Sequence, residues 1–351
     1  MLDQSQIAHF LLSLGVIKPR AVVGDGLTVA DASRRNCVFI VTTASGPTYA
    51  VKQASPQSAL ALQREAAVLR VLADAPELAG QVPVVVHENA EMAVLVLRSP
   101  GGGRDWAEHH SAGRFPRAPA RSLGLALAAL HGLAATEVDN APTDVERMWA
   151  LQFAEPPHEL MLDLSIGAQD LVARLQANPP MIERLSGLRD DDHGDAFVHG
   201  DVRWENCLAI AVPGSSRRTR TFVVDWELAG SGEAALDVGT VLAEYLTAWV
   251  GSIPIVDAAA PGRLLSHARY PLRRMQPAID AFMSAYRQAT ATPPRLRRTM
   301  ELAAVRLLQT AVERAQVLAT PSARLVTLVQ LAENILLEPE DAAQTLLGLR
   351  E

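Results

Sequence analysis

The sequence predicts an α+β protein built in two lobes: a small N-terminal lobe with an antiparallel sheet and a helix, and a larger, mainly helical C-terminal lobe that carries one β-hairpin. Three observations predict this. Residues 27–97 are a series of strand-like runs broken by one strong helical stretch. Pro100-Gly101-Gly102-Gly103 then interrupts the pattern, as a connector does. Beyond it the chain is helical in periodicity except for 196–225. The boundary is placed here, giving an N-lobe over residues 1–98 and a C-lobe over 99–351.

Each element has its own signal. Ile7, Phe10, Leu11 and Leu14 recur at helical spacing, and Gly15 fits a C-terminal stop. Leu27 to Ala32, the β-branched Cys37 to Thr42 and Thr48 to Lys52 read as three antiparallel strands, joined by Ser33-Arg34-Arg35-Asn36 and Ser45-Gly46-Pro47. Gln57 to Leu72 has no Gly or Pro and is expected to be a helix. Val82 to His87 and Met92 to Leu97 are further strands. In the C-lobe, helices are expected over Arg121 to Leu133, Leu160 to Leu175, Met181 to Leu188, Glu301 to Leu318 and Arg324 to Leu337. Cys207 to Val212 and Thr221 to Val224 form a hairpin across the loop Pro213 to Arg220.

Composition excludes several classes. The net charge of −7 supplies no basic field for nucleic acid, and the runs Arg217-Arg218-Thr219-Arg220 and Arg273-Arg274 are short. No apolar run approaches the ~20 residues that span a bilayer. The N-terminus Met1 to Gln6 lacks a basic n-region, and Cys37 and Cys207 offer neither a disulfide framework nor a metal spacing. A cytoplasmic protein without nucleic-acid or membrane partners is expected.

The chemistry is expected between Phe197 and Glu227. An apolar stretch ends in His199-Gly200-Asp201, and Asn206 follows five residues after the aspartate. Asn206 precedes the first strand of the hairpin and Asp225 ends the second. In an antiparallel pair those two positions lie side by side, with Asp201 in the loop just before. Two carboxylates and a carboxamide are hard oxygen ligands that suit Mg²⁺. Phosphoryl transfer needs such a set, one carboxylate for the nucleophile's proton and others to hold metal. Asp201 is assigned as the base, and Asn206 and Asp225 as metal ligands. Asp190-Asp191-Asp192 reads as a solvated acidic loop, His109-His110 as surface, and His131 receives no chemistry.

His199-Gly200-Asp201-x4-Asn206, followed by Val223-Val224-Asp225-Trp226-Glu227, resembles the catalytic loop and metal motif of the aminoglycoside phosphotransferase family. That resemblance implies the bilobal protein-kinase-like fold, with ATP or GTP and Mg²⁺ as cofactors. It also implies that Lys52, in Tyr49-Ala50-Val51-Lys52, contacts the nucleotide phosphates and that Glu65 pairs with it. The Leu127 to Leu133 segment with His131, Gly230, and Asp237-Val238-Gly239 resemble further family segments. Where protein kinases carry a glycine-rich loop over the phosphates, this chain has Ser33-Arg34-Arg35-Asn36, and Ser33 and Asn36 are the expected nucleotide contacts there. The metal motif is Asp-Trp-Glu rather than Asp-Phe-Gly, which makes Glu227 a second candidate at the metal.

The acceptor is expected to be a hydroxyl, and two classes compete: a small molecule such as an aminoglycoside or sugar, and a Ser or Thr of a peptide. Gly24 to Phe39 is similar to phosphotransferase-like subunits from class V lanthipeptide and thioamitide clusters. That similarity implies a precursor peptide as acceptor and a partner lyase that eliminates the phosphate. The arginines 269, 273, 274, 287, 295, 297, 298 and 306 speak against a polycationic acceptor, and the reading leans to the peptide. A nucleotide-binding pseudokinase is the competing class; the presence of all the expected polar groups disfavours it.

Overall fold

A computed structural model describes residues 2–24, 26–33, 37–43, 46–55, 58–101, 103–133, 144–190, 194, 196–212, 215, 219–254 and 267–351. Helix α1, Gln4–Ser13, begins at a capping box. The Asp3 carboxylate accepts from the backbone of Ser5 and Gln6, and the Gln6 side chain reaches back to the Asp3 N–H. It ends before Gly15, which adopts φ +68 as the sequence predicts for a C-terminal stop. A short α2, Pro19–Val23, leads to β1, Thr28–Asp31, β2, Cys37–Thr42, and β3, Thr48–Gln53. Helix α3, Ala59–Ala73, comes next, then β4, Val84–Asn89, and β5, Val94–Ser99. The five strands form one antiparallel sheet in the order β1-β2-β3-β5-β4.

Alternation along these strands decides what each face meets. Phe39, Val41, Val51, Val94 and Val96 share a small core with Ile7 and Leu11 of α1. Leu95 and Leu97 face the other way, toward Leu62, Leu69 and Leu72 of α3. Lys52 pairs with Leu95 in register, so its side chain stands on the α3 face, where it is buried.

Past Gly103 come β6, Arg104–Asp105, α4, Trp106–Ser111, and α5, Arg117–His131, followed by α6, Asp144–Arg147. The single helix expected from Leu160 to Leu175 is two: α7, His158–Asp163, and α8, Ile166–Gln176. The break is a cap. Ser165 is extended, and its hydroxyl accepts from the Ala168 N–H at 3.3 Å. Helix α9, Pro179–Asp190, precedes β7, Ala196–Val198; Asp191 and Asp192 of the acidic loop lie outside the described residues. Strands β8, Cys207–Ala211, and β9, Thr219–Val223, pair antiparallel from Cys207↔Val223 to Ala211↔Thr219. Thr219 and Arg220 therefore belong to the strand, not to the loop as expected. Strand β10, Gly230–Gly232, pairs with β7.

Helices α10, Ala234–Gly251, α11, Gln276–Ala289, α12, Leu296–Ala315, and α13, Ala323–Leu337, complete the core. Helix α5 packs on α11, and α12 on both α10 and α13. Gly239 is what lets α10 approach α12. A Cβ there would lie 2.7 Å from the Thr299 carbonyl oxygen, closer than real Cβ contacts allow. The mixed α+β architecture is the one the sequence predicts, an antiparallel N-terminal sheet followed by a mainly helical remainder of protein-kinase-like fold. Among the described residues no helix is long and apolar enough to cross a membrane.

Candidate active site

Three of the expected residues converge on one ammonium. Lys52 Nζ donates to Glu65 Oε1 at 2.9 Å and Oε2 at 2.8 Å, and to Asp225 Oδ1 at 2.6 Å. Glu65 projects inward from the buried stripe of α3 and is fully buried. Burial alone would push the Lys52 ammonium toward its neutral form. The carboxylates of Glu65 and Asp225 outweigh it and raise its pKa above the ordinary lysine value. For Asp225 the balance mirrors this: burial raises its pKa, Lys52 lowers it more, and the net is downward. Both groups are thus charged at neutral pH.

The backbone at Asp225 is constrained. Strand β9 ends at Val223, two residues earlier than an Asp225 strand terminus requires, and Asp225 adopts φ +67. A left-handed non-glycine residue costs roughly 1–2 kcal/mol. The next amide holds it there, since the Trp226 N–H donates to Glu65 Oε1 at 3.2 Å.

Asp201 and Asn206 form the second pair. The Asn206 Nδ2 donates to the Asp201 carbonyl oxygen at 2.9 Å and to Asp201 Oδ2 at 3.2 Å. With Nδ2 engaged, Oδ1 is the amide's remaining acceptor. Arg203 also donates to Asp201 Oδ2, from Nε at 3.1 Å and Nη2 at 2.9 Å. The two pairs meet across the hairpin's open end, where the Val224 N–H donates to the Asn206 carbonyl at 2.9 Å. The backbone partner of Asn206 is thus Val224, one residue before the Asp225 that the hairpin reading pairs with it.

The loop carrying Asp201 is pinned by a residue whose role the sequence did not reveal. Asp237, in the first turn of α10, accepts from the His199 N–H at 2.8 Å and the Gly200 N–H at 2.9 Å. It also meets His131 Nε2 at 3.1 Å, while His131 Nδ1 meets the Tyr286 hydroxyl at 2.8 Å. His131 thus braces the loop through Asp237 and touches none of the candidate ligands. The signal for Asp237 was present: one acid in a helix start that is otherwise apolar. His199 Nδ1 accepts from the Asp201 N–H at 3.2 Å, which assigns the ring proton to Nε2, donating to the Val224 carbonyl at 3.0 Å. Gly200 has φ +81, and a Cβ on it would lie 2.6 Å from the Leu228 carbonyl oxygen. Buried Arg147 closes the floor, donating to Leu228 O at 2.9 Å and Ser231 O at 2.7 Å.

Burial raises the Asp237 pKa and the His131 hydrogen bond lowers it, with a net shift below the ordinary aspartate value. A carboxyl with a depressed folded pKa stabilises the protein above its unfolded pKa, and that contribution is lost as pH falls through the folded value. Asp237→Asn is expected to cost about 3 kcal/mol at pH 7, because an amide NH₂ then faces backbone donors. The gap to the wild type is expected to narrow progressively as pH falls below the ordinary aspartate value and through the depressed folded one. Urea unfolding of both proteins from pH 7 down to about pH 2 reads this; a gap that stays constant over the whole range would refute it.

Other expectations fare differently. Among the described residues Ser33 makes local bonds only: its N–H donates to Asp31 Oδ1 at 2.9 Å, and its hydroxyl accepts from the Val38 N–H at 3.1 Å. Asn36, with Arg34 and Arg35, lies outside the described residues. Glu227 is half-buried, and its pKa is raised by burial and by the Asp225 charge. His110 is not the surface residue expected. It is buried between Trp204 and Phe115, with ring centroids at 3.8 and 5.1 Å, and burial pushes its pKa down to about 3. Several arginines of the last third are committed to partners within the protein. Arg297 and Arg298 pair with Glu301 and Glu233, Arg274 donates to the Gly113 carbonyl, and Arg287 to that of Arg350. Among the described residues no group of three or more His, Cys, Asp or Glu is gathered to hold a metal.

A sequence profile described as the phosphotransferase enzyme family matches residues 27–297. No curated protein matches the chain in sequence. Many solved structures share the fold, two of them over almost the whole length of both chains. One is a choline/ethanolamine kinase family protein from Mesorhizobium loti, 18% identical, with 97% of this chain and 98% of that chain covered and a TM-score of 0.53. The other is a choline kinase from Cryptosporidium parvum Iowa II, 11% identical, with 99% of each chain covered and a TM-score of 0.59.

Proposed function

The chain belongs to the phosphotransferase enzyme family, and from that premise we propose that it moves the γ-phosphoryl group of ATP or GTP onto a hydroxyl in a magnesium-dependent reaction. The observation that carries this reading is the meeting of Lys52, Glu65 and Asp225 on one face and Asp201 with Asn206 beside it. The donor chemistry fits magnesium. Asn206 Oδ1 and the second oxygen of Asp225 are hard acceptors at adjoining strand ends, and Mg²⁺ usually takes one or two carboxylates and leaves its other positions to water and phosphate oxygens. When bound, the metal would supply charge neutralisation on the phosphates.

The chain's own residues divide the remaining work. Lys52, held charged by Glu65, offers its ammonium to phosphate oxygens. Asp201 orients the acceptor hydroxyl and takes its proton, placing the oxygen for attack. We place a small hydroxylated molecule ahead of a peptide Ser or Thr as acceptor. The arginines that would receive an acidic peptide are largely tied to carboxylates and carbonyls. A peptide acceptor and a lyase partner keep only the resemblance of residues 24–39 in their favour.

The test is transfer of label from γ-labelled ATP with magnesium to a panel of sugars, amino alcohols, antibiotics and Ser/Thr peptides. The expected result is label on the hydroxyl of one class, with matching ADP release. A folded protein that releases no ADP and labels nothing across the panel would overturn the reading.

A further inference from the structure

We propose that Arg306 and Glu313, far from the catalytic loop in sequence, are positioning residues that fix the orientation of the Asp201 carboxylate through a closed ring of four charges. The inference rests on the phosphotransferase reading of Asp201. The ring runs from Asp201 Oδ2 to Arg203 Nη2 at 2.9 Å, and from Arg203 Nη1 to Glu313 Oε2 at 3.6 Å. It returns from Glu313 Oε2 to Arg306 Nη2 at 3.5 Å, and from Arg306 Nη1 to Asp201 Oδ1 at 3.7 Å. Signs alternate around it, two positive and two negative, so every charge has opposite neighbours.

Helix geometry explains how α12 supplies half of the ring. Arg306 and Glu313 are seven residues apart, two turns, and so share one face. Gln309 lies on that face between them. Its Nε2 donates to Glu313 Oε1 at 3.1 Å and to the Arg147 carbonyl at 3.4 Å. The ring is thereby fastened to the same Arg147 that closes the floor under Gly200. Arg306 is only 4% exposed, and a buried guanidinium is costly unless it is paired. Arg203 and Glu313 form the half-open rim.

The two oxygens of Asp201 are treated differently. Oδ2 accepts hydrogen bonds from Arg203 and Asn206. Oδ1 has the Arg306 charge at 3.7 Å, beyond hydrogen-bond reach, so its lone pairs remain available to a hydroxyl. The χ2 torsion of aspartate is broad and nearly two-fold. Donors on Oδ2 alone would let the carboxylate swing; attraction of Oδ1 to Arg306 fixes the second oxygen as well.

The experiment compares wild type, Arg306→Gln, Arg306→Lys, Glu313→Gln and Asp201→Asn in ATP turnover, Mg·ADP binding, thermal unfolding and amide exchange of residues 201–206. Arg306→Gln is expected to lower kcat about 100-fold, the scale of a roughly 1 Å misplacement, with the Mg·ADP Kd unchanged and faster exchange in the loop. Arg306→Lys keeps the charge and is expected to recover about tenfold of that loss, and Glu313→Gln to lose about tenfold. The double variant Arg306→Gln/Glu313→Gln is expected to lose less than the product of the two single losses, because both act on one ring. If Arg306→Gln does not fold, Arg306→Lys and the half-exposed Glu313→Gln carry the same test. Folded ring variants with wild-type kcat and wild-type loop exchange, beside an inactive Asp201→Asn, would overturn the ring alone. An Asp201→Asn protein as active as wild type would overturn the phosphotransferase assignment instead, and loop exchange in the ring variants would still decide the ring.

Discussion

Asp201→Asn is expected to lower the rate of phosphoryl transfer at saturating ATP by about 1000-fold, within the range a positioned general base contributes. The substitution is nearly isosteric, so packing around the loop is preserved. It removes the proton acceptor and the negative charge, while the remaining amide oxygen can still accept from Arg203. The ring of Arg203, Arg306 and Glu313 is left with an excess positive charge. Lys52, Glu65 and Asp225 are untouched, so Mg·ADP affinity is expected to stay at its wild-type value. Initial rates and calorimetric Kd values measured together separate the two effects. A rate within a few-fold of wild type would remove Asp201 from the chemistry.

Asp225→Asn is expected to act on binding as well as on rate. The carboxylate is one of two that hold Lys52 charged, and under the proposed assignment it is the anionic ligand of the metal. A metal supplies several kcal/mol of stabilisation to developing phosphate charge. At tenfold per 1.36 kcal/mol, the loss is on the order of 1000-fold or more in turnover. Magnesium-dependent nucleotide binding should fall with it. Glu65 remains on Lys52, so the N-terminal sheet and α3 should keep their stability. Chelating magnesium from the wild type should reproduce the variant's defect, and added magnesium should restore the wild type and not the variant. Equal magnesium dependence in the two proteins would contradict the assignment.

Much of this site was legible in the sequence because its geometry is local. Two strands and a loop place Asn206 beside the residue preceding Asp225, a short-range rule that holds in any hairpin. Lys52 and its pairing with Glu65 were legible through the family resemblance, and the structure adds that alternation along β3 turns Lys52 toward α3. The parts that were not legible depend on long-range packing. Arg306 and Glu313 reach Asp201 only because α12 lies against α10, an approach that Gly239 permits. Asp237 reads as one of two acids in an apolar helix until the helix start is seen beneath His199 and Gly200.

The fold shows the same division. Every strand expected in the N-terminal half is present within about two residues, the ordinary tolerance of such boundaries. Helices α10 and α11 were missed. The first is apolar nearly all round and has no amphipathic stripe to read, fourteen of its eighteen residues being buried. Helix α11 does carry a stripe, with Ala278, Ile279, Phe282, Met283 and Tyr286 at helical spacing, and was overlooked behind the aperiodic stretch that precedes it. His110 was misread because nothing near it in sequence announces the aromatic cluster that Trp204, Phe115 and Tyr245 build around it. The acceptor was not legible in the sequence, since several of the arginines that suggested a peptide are tied to carboxylates and carbonyls of the protein itself.

The most direct test of the central claim is where a metal sits. Crystals grown with Mn²⁺ in place of Mg²⁺ and a non-hydrolysable ATP analogue would show the ion by its anomalous scattering. One peak is expected in contact with both Asn206 Oδ1 and an Asp225 carboxylate oxygen, at about 2.1 Å as for an octahedral divalent ion, with Lys52 Nζ within hydrogen-bond distance of a phosphate oxygen. An ion bound to the nucleotide but out of reach of both side chains would contradict it.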